Sequence, residues 1–184
     1  SISIAIFAVP KPFIGNISII QRNAITSWTL LEPRPEIILL GEEKGTAEIA
    51  TELGIRHLPK VKCNGYGTPL LDGIFAEVKR LAKNKILTYI NADIILTKGF
   101  LTTVQQVAAE FQDFLLTGRR WNLELETALN FEDKNWENDL KKLVCQRGIL
   151  APETAKDYFF FPKHLFSEVP EFAIGRGYWD NWMV

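Results

Sequence analysis

An asparagine and an aspartate stand two positions apart in the apolar stretch LTYINADIIL at residues 87–96. Such a run predicts a strand buried on both faces of a parallel sheet, where an unpaired carboxylate is costly. Residues two apart on an extended segment point to the same side, so Asn91 and Asp93 can face one bound group. A divalent cation shared with substrate phosphates would compensate Asp93. The alternative is that Asp93 caps the following turn by accepting backbone N–H groups.

The elements around this stretch alternate between apolar strand-like runs and segments of helical periodicity, which is typical of α/β proteins. We expect a mostly parallel central sheet with helices on both faces, with residues 92–96 near its middle. Its ligand crevice should lie at the carboxyl ends of the strands. The pattern predicts further strands at 3–9, 36–40, 55–58, 114–117 and 158–161, and helices beginning near Asn16, Thr46, Thr68, Lys98 and Trp136.

Composition limits the classes of function. The chain has 184 residues, of which 47% are hydrophobic and 23% charged, with a net charge of -1, which favours a globular protein and argues against a nucleic-acid partner. No apolar run approaches the roughly 18 residues of a membrane span, so no transmembrane segment is expected. Cys63 and Cys145 fit no metal-ligand spacing, and their small number predicts a reducing, cytoplasmic location.

Five segments match a known family in their order along the chain. VPKP at 9–12 follows the first strand, GEEKG at 41–45 the second, and NAD at 91–93 ends the strand after a long helix. AKDYFFFPKHLF at 155–166 and GRGYWDNWMV at 175–184 follow. Over essentially its whole length the chain resembles glycosyltransferases of the GT-A fold, most nearly the family-2-like group. The resemblance implies a Rossmann-like nucleotide-diphospho-sugar transferase fold, a UDP or GDP type of sugar donor and an unknown acceptor.

The resemblance also implies roles for particular residues. Asn91 and Asp93 match the family's Asp-x-Asp motif, in which Asp93 would hold Mn²⁺ or Mg²⁺. Asn91 stands where family members usually have Asp, so it adds no charge to a metal but can bond a ribose hydroxyl. Tyr158 and Trp179 would lie on the acceptor side. The expected nucleotide-sugar-binding residues are Pro10, Glu42, Asn64, Thr68, Asp72, Asn91 and Asp93.

Asp180 stands at the acidic position where inverting members place the general base, which removes the acceptor hydroxyl's proton as that oxygen attacks the anomeric carbon. The alternative role for Asp180 is a helix N-cap. Arg119 and Arg120 are candidates for neutralising a diphosphate, with a solvated arginine pair as the alternative. Because WDNWMV stops about one turn into a helix that relatives continue, we expect residues 1–184 to be a single GT-A-like domain truncated at its C-terminus.

Two other functions stay open beside glycosyl transfer. A sugar nucleotidyltransferase needs a Gly-rich basic loop after its first strand, whereas AVPKPFIGN offers one Gly and one Lys there. A noncatalytic or degenerate nucleotide-sugar-binding relative is favoured by Asn91. Metal-dependent binding of a nucleoside diphosphate would separate the leading interpretation from both.

Overall fold

The computed structural model describes residues 3–175 and 179–184 and shows an α/β protein. The strands are β1 (Ile4–Ala8), β2 (Glu36–Leu40), β3 (Arg56–Leu58), β4 (Ile86–Ile90), β5 (Leu116–Thr117), β6 (Trp121–Asn122), β7 (Ile149–Leu150) and β8 (Tyr158–Pro162). The helices are α1 (Gly15–Thr29), α2 (Thr46–Leu53), α3 (Leu71–Leu81), α4 (Lys98–Glu110), α5 (Trp136–Arg147) and α6 (Trp179–Trp182).

The main sheet has six strands within the described residues, in the order β3-β2-β1-β4-β8-β5. β1 pairs in parallel with both β2 and β4, so that Phe7 lies between Ile38 and Tyr89. β3 continues the parallel pairing, whereas β8 runs antiparallel to β4 and β5. The four neighbouring strands β3, β2, β1 and β4 therefore run in the same direction, which confirms the predicted mostly parallel sheet.

Helices cover both faces of this sheet because its strands are apolar on both sides. Ile4 and Ile6 of β1 pack in one core with residues of α1, α2 and α4, and Ala5 and Phe7 pack in another with residues of α3 and α6. This alternation follows from the two-residue period of an extended strand. No helix among the described residues is long and apolar enough to cross a bilayer.

The segment after β4 is where the structure differs most from the sequence prediction. β4 ends at Ile90, so the expectation that residues 92–96 lie in the middle of the sheet is wrong. Instead, Ile94 N donates to Asn91 O at 3.2 Å in a turn. α1 holds the residues of this turn and just after it, since Trp28 Nε1 donates to Ile94 O at 2.8 Å and Leu96 N donates to Ser27 Oγ at 3.0 Å. Packing against α1, rather than strand pairing, buries the apolar residues here, and periodicity alone cannot separate the two.

Two helix starts also differ. α3 begins at Leu71 rather than at Thr68, because Leu70 is still extended and bridges to Ala173. α1 begins at Gly15, and Asn16 lies inside the helix rather than at its cap.

The small sheet of β6 and β7, with two residues in each strand, was not predicted at all. Strands this short carry no periodicity that a sequence pattern can show.

Candidate functional site

A cavity of about 550 Å³ lies at the carboxyl ends of β1 and β4. The chain leaves β1 toward β2 on one side, whereas β4 lies on the other side, so this is the point where the strand order reverses. Open parallel sheets bind ligands at that point. The cavity is lined by Val9, Pro10, Lys11, Pro12, Ile17, Ile20, Gln21, Glu43, Tyr89, Asn91, Ala92, Asp93, Lys156, Ile174, Gly175, Trp179 and Asp180.

The loop after β1 forms one wall and is fixed by a buried amide. Lys11 N donates to Gln21 Oε1 at 2.7 Å, and Gln21 Nε2 donates to Lys11 O at 2.8 Å. Pro10 and Pro12 on either side restrict the backbone further. The Lys11 main chain is therefore fully used, and its exposed side chain is the part left to meet a ligand.

The loop after β2 is pressed against the same wall. Phe13 N donates to Lys44 O at 2.8 Å. Gly45 has φ 91°, and a Cβ at this position would lie 2.5 Å from the Cβ of Phe13, so only glycine fits. This contact places Glu43 at the cavity, whereas the exposed Glu42, which we expected to contact the base, is absent from its lining.

Asp93 is exposed at the cavity and is not buried in a strand. β4 ends three residues before Asp93, so this carboxylate does not carry the free-energy cost of burial in a strand that the sequence suggested. No hydrogen bond or ion pair of the Asp93 carboxylate is found within residues 3–175 and 179–184. The backbone beside it is fixed, since Asn91 N donates to Asp157 O at 2.9 Å. Asp93 is thus a solvated carboxylate on a turn whose backbone is fixed by hydrogen bonds.

The buried carboxylate at this end of the sheet is Asp157, which sequence reasoning did not single out. It is 6% exposed. Asn91 Nδ2 donates to Asp157 Oδ1 at 3.0 Å, and Arg120 Nη1 donates to Asp157 Oδ2. The signal in the sequence was its place in the AKDYFFFPKHLF segment, directly before the apolar YFFF run. Its meaning depends on the antiparallel pairing that sets Ile90 opposite Tyr158.

The two arginines are therefore engaged within the protein. Arg120 pairs with Asp157 and also donates through Nε to Asn122 Oδ1 at 2.7 Å. Arg119 Nε donates to Ala151 O at 2.7 Å. Neither lines the cavity, so the structure does not support a diphosphate clamp; Arg119 is exposed, and Arg120 is partly buried in its pair with Asp157.

Tyr89 is a second lining residue that sequence reasoning missed, although it lies in the apolar stretch at 87–96. Its side chain is 3% exposed, and its ring packs edge-on against Trp179 with centroids 5.0 Å apart. Burial raises the pKa of the Tyr89 phenol, and the charges of Asp93 and Asp157 raise it further. The phenol therefore stays protonated at neutral pH.

Asp180, the candidate general base, lines the cavity together with Asp93 and is half-buried. Its Oδ1 accepts a hydrogen bond from Asn181 N at 3.0 Å. Lys156 Nζ donates to Asn181 Oδ1 at 2.7 Å and so links α6 to the segment before β8. Residues 176–178 of the GRGYWDNWMV segment lie outside the described residues.

Several expected site residues lie elsewhere. Asn64 and Thr68 form a turn, in which Asn64 Oδ1 accepts from Thr68 N at 3.0 Å, and Asp72 pairs with Lys62 at 2.8 Å. None of these lines the cavity. Tyr158, expected on the acceptor side, is also absent from the lining and packs against Phe100 with centroids 5.6 Å apart. Its neighbour Phe159 packs on the other face of the sheet against Trp179, because successive residues of β8 alternate between faces.

The described side chains fit a metal that is shared with a ligand better than a resident metal. No group of three or more His, Cys, Asp or Glu side chains that could hold an ion occurs among the residues that the structure describes. Asp93 and the amide oxygen of Asn91 nevertheless offer hard oxygen ligands at the cavity. Mg²⁺ is commonly held by one or two carboxylates together with substrate phosphates and water.

A larger concavity, of about 670 Å³, lies along α5 and the residue before it. All of its lining residues come from that one segment, so it has no opposing wall. Ligand sites are usually enclosed between several elements. The cavity between β1 and β4 is therefore the stronger candidate, although it is smaller.

No protein-family model matches the chain, and no curated protein matches it. A solved structure of CMP:2-keto-3-deoxy-manno-octonic acid synthetase complexed with CTP is 11% identical and covers 94% of this chain and 79% of that chain, with a TM-score of 0.53. A cytidylyltransferase from Leptospira borgpetersenii is 14% identical over 89% of this chain and 61% of that chain, with a TM-score of 0.48. TarS from S. aureus is 10% identical over 62% of this chain and 34% of that chain, with a TM-score of 0.46.

The likeness to the synthetase shows the fold. The chain shares the α/β architecture of that synthetase, with a mostly parallel sheet between helices. It spans about a third of the TarS structure and 61% of the Leptospira cytidylyltransferase. At 11% identity to the synthetase only the fold is shared, whereas activity, substrate and partners are matters for proposal.

Proposed function

We propose that this chain is a glycosyltransferase that takes a sugar from a nucleotide-diphosphate donor, with the donor bound in the cavity between β1 and β4. The observation that carries the proposal is the presence of the carboxylates of Asp93 and Asp180, beside that of Glu43, in one cavity at the point where the strand order reverses. Glycosyl transfer needs a carboxylate in each of two roles: one helps to hold the leaving diphosphate, and the other accepts the proton of the acceptor hydroxyl.

The lining has the chemistry to hold a nucleotide. A volume of about 550 Å³ is within the usual range for small-molecule sites. Pro10, Pro12 and Ile17 provide an apolar wall for a flat base, and Glu43 provides an acceptor for base N–H groups. Lys156 brings an ammonium group to the cavity, where it can pair with phosphate oxygens.

Asp93 and Asn91 are the residues that would hold a divalent Mn²⁺ or Mg²⁺ in this proposal. When bound, such an ion offsets the charge of the departing diphosphate. The chain's own part is positional: the Asn91 main chain is bonded to Asp157, and α1 fixes residues 94 and 96 behind Asp93. The carboxylate is therefore presented on a rigid turn.

Asp180 is the proposed general base for an inverting transfer. Its Oδ1 is engaged by Asn181 N, which leaves Oδ2 to take the proton of the acceptor hydroxyl. As that proton leaves, the acceptor oxygen bonds to the anomeric carbon, the bond from that carbon to the phosphate oxygen breaks, and the nucleoside diphosphate departs. Trp179, buried beside Tyr89, holds the start of α6 in place.

Calorimetry with UDP, GDP and CDP, each with and without Mn²⁺, tests the binding part. We expect one nucleoside diphosphate to bind, and to bind more tightly with the metal. Asp180→Asn should keep that affinity and lower sugar transfer or donor hydrolysis by at least about 100-fold, since a positioned base contributes that much. Asp113→Asn, at an exposed carboxylate paired with His164, is the matched control. Wild-type protein that binds none of these nucleotides would contradict the proposal.

Nucleotidyl transfer is the second candidate, supported by the fold shared with a synthetase that was solved with CTP. The loop after β1 argues against it, because Lys11 lies between two prolines and its backbone is bonded to Gln21. Tight binding of a nucleoside triphosphate, with pyrophosphate released when a sugar phosphate is added, would favour this candidate. Nucleotide binding without any turnover would instead favour a noncatalytic relative.

A further inference from the structure

The side-chain amide of Asn91 has its two ends in different environments. Nδ2 donates to Asp157 Oδ1 at 3.0 Å. Oδ1 has no hydrogen-bond partner within residues 3–175 and 179–184, and it is not among their buried unpaired atoms. Because Asn91 lines the cavity, this oxygen is open to it.

Asp157 determines which end of the amide faces outward. A carboxylate that is paired with a guanidinium has only acceptor oxygens to offer, so it can engage the NH₂ group of Asn91 and not its carbonyl. Asp157 cannot move to allow the reverse, because Arg120 holds its Oδ2 and the side chain is almost fully buried. Its main chain is tied as well, since Asp157 O accepts from Asn91 N at 2.9 Å.

We propose that Asp157, held by Arg120, is a positioning residue that makes Asn91 present its carbonyl oxygen to the ligand. Asn91 is thereby fixed as an acceptor, beside the exposed carboxylate of Asp93. An acceptor here favours a cation or a hydroxyl donor on the nucleotide sugar and disfavours a bare phosphate oxygen. This inference rests on the proposed function, because it concerns the same cavity.

The structure also shows how an aspartate at position 91 could be accommodated. Asn91→Asp alone would remove the N–H donor and set two carboxylates against each other, which is unfavourable. With Asp157→Asn in addition, the new amide could donate to the new carboxylate, so that the hydrogen bond is kept with its direction reversed. The second oxygen of the carboxylate would then face the cavity.

The test compares wild type, Asp157→Asn, Asn91→Asp and the double variant in calorimetry with UDP, GDP and CDP plus Mn²⁺. Asp157→Asn should weaken binding of the preferred nucleotide roughly tenfold, as the loss of one well-placed acceptor predicts. The double variant should return affinity to within roughly threefold of wild type. Asp113→Asn is the control for loss of a carboxylate and should bind as wild type does.

Thermal unfolding of the same four proteins provides a readout that needs no ligand. Asn91→Asp should lower Tm by about 5 °C when Asp157 is present and by much less when residue 157 is Asn. If Asn91→Asp lowers Tm equally with Asp and with Asn at position 157, the hydrogen bond between residues 91 and 157 does not exist as the proposal requires. A merely structural Asp157 would lower Tm in Asp157→Asn and leave nucleotide affinity unchanged.

The outcomes separate the two proposals. If wild type binds a nucleotide and Asp157→Asn binds it equally well, or the double variant stays as weak as Asp157→Asn, the positioning role is overturned and the proposed function stands. If wild type binds none of the three nucleotides, the proposed function fails and the positioning role for a ligand fails with it.

Discussion

Two aspartates at the same end of the sheet, Asp93 and Asp157, have opposite surroundings. Asp93 follows β4 on an exposed turn and has no partner among the described side chains. Asp157 precedes β8, is 6% exposed and is bonded to both Asn91 and Arg120. The difference indicates a division of labour, in which the unpaired carboxylate is available to a ligand and the paired one fixes the geometry around it.

Removal of the partner of the buried carboxylate should have the largest effect on stability. Arg120→Gln leaves Asp157 with its charge and without its counter-ion, and we expect the free energy of unfolding to fall by about 2–3 kcal/mol. Urea denaturation measures this value. Arg22→Gln is the control, because the Arg22–Glu52 pair, at 2.7 Å, is exposed on both sides, and it should cost less than about 1 kcal/mol. Equal losses would mean that Asp157 is not distinguished by its burial.

Neutralisation of the exposed carboxylate should affect binding and leave stability nearly unchanged. Asp93→Asn should change the free energy of unfolding by less than about 0.5 kcal/mol, since no described side chain depends on it. Its affinity for the nucleoside diphosphate in Mn²⁺ should fall to the value that wild type shows without the metal, as calorimetry can measure. If Asp93 takes no part in metal binding, nucleotide affinity will not change.

The smallest expected effect on stability concerns Tyr89. Its pKa is raised mainly by burial and further by the charges of Asp93 and Asp157. The unfolded tyrosine loses its proton near its ordinary pKa of 10.0, whereas the folded one keeps it. This contribution to stability is therefore complete below pH 10 and is lost above it. Tyr89→Phe should reduce the fall in stability between pH 9 and 10.5, by less than about 1 kcal/mol.

Urea denaturation over that pH range gives the comparison directly. Tyr66→Phe, at a side chain that is 91% exposed, is the matched control and should follow the wild-type curve. Parallel curves for wild type and Tyr89→Phe would show that the Tyr89 phenol is not held in its protonated form by this site.

The main sheet could be predicted from the sequence because its strands are continuous apolar runs separated by helical patterns. β1, β2 and β4 all begin within a residue of where those runs begin. Burial on both faces leaves no room for polar residues in such strands. The same property explains the one large error, since Ile94, Ile95 and Leu96 are apolar for packing on α1 and α4 and not for strand pairing.

The site was predictable only in part. The chain places Pro10, Asn91, Asp93, Trp179 and Asp180 at the cavity, and all of these follow motifs that are readable in order along the sequence. Glu43 replaces Glu42 at the cavity because the contact between Gly45 and Phe13 fixes how the loop turns. Gln21 lies in no quoted segment, and the segments that contain Tyr89 and Lys156 did not mark these two as site residues; their place at the cavity depends on which elements become neighbours.

The sequence by itself determined the order of elements, the apolar strands and the end of the sheet at which polar residues collect, because these follow from periodicities along the chain. Only the tertiary structure decided that Asp157, and not Asp93, is the buried carboxylate. That outcome depends on β8 pairing antiparallel to β4, which brings residues 66 positions apart within 3.0 Å of each other. Hydrogen bonds over such separations depend on packing of the whole domain, which no local pattern encodes.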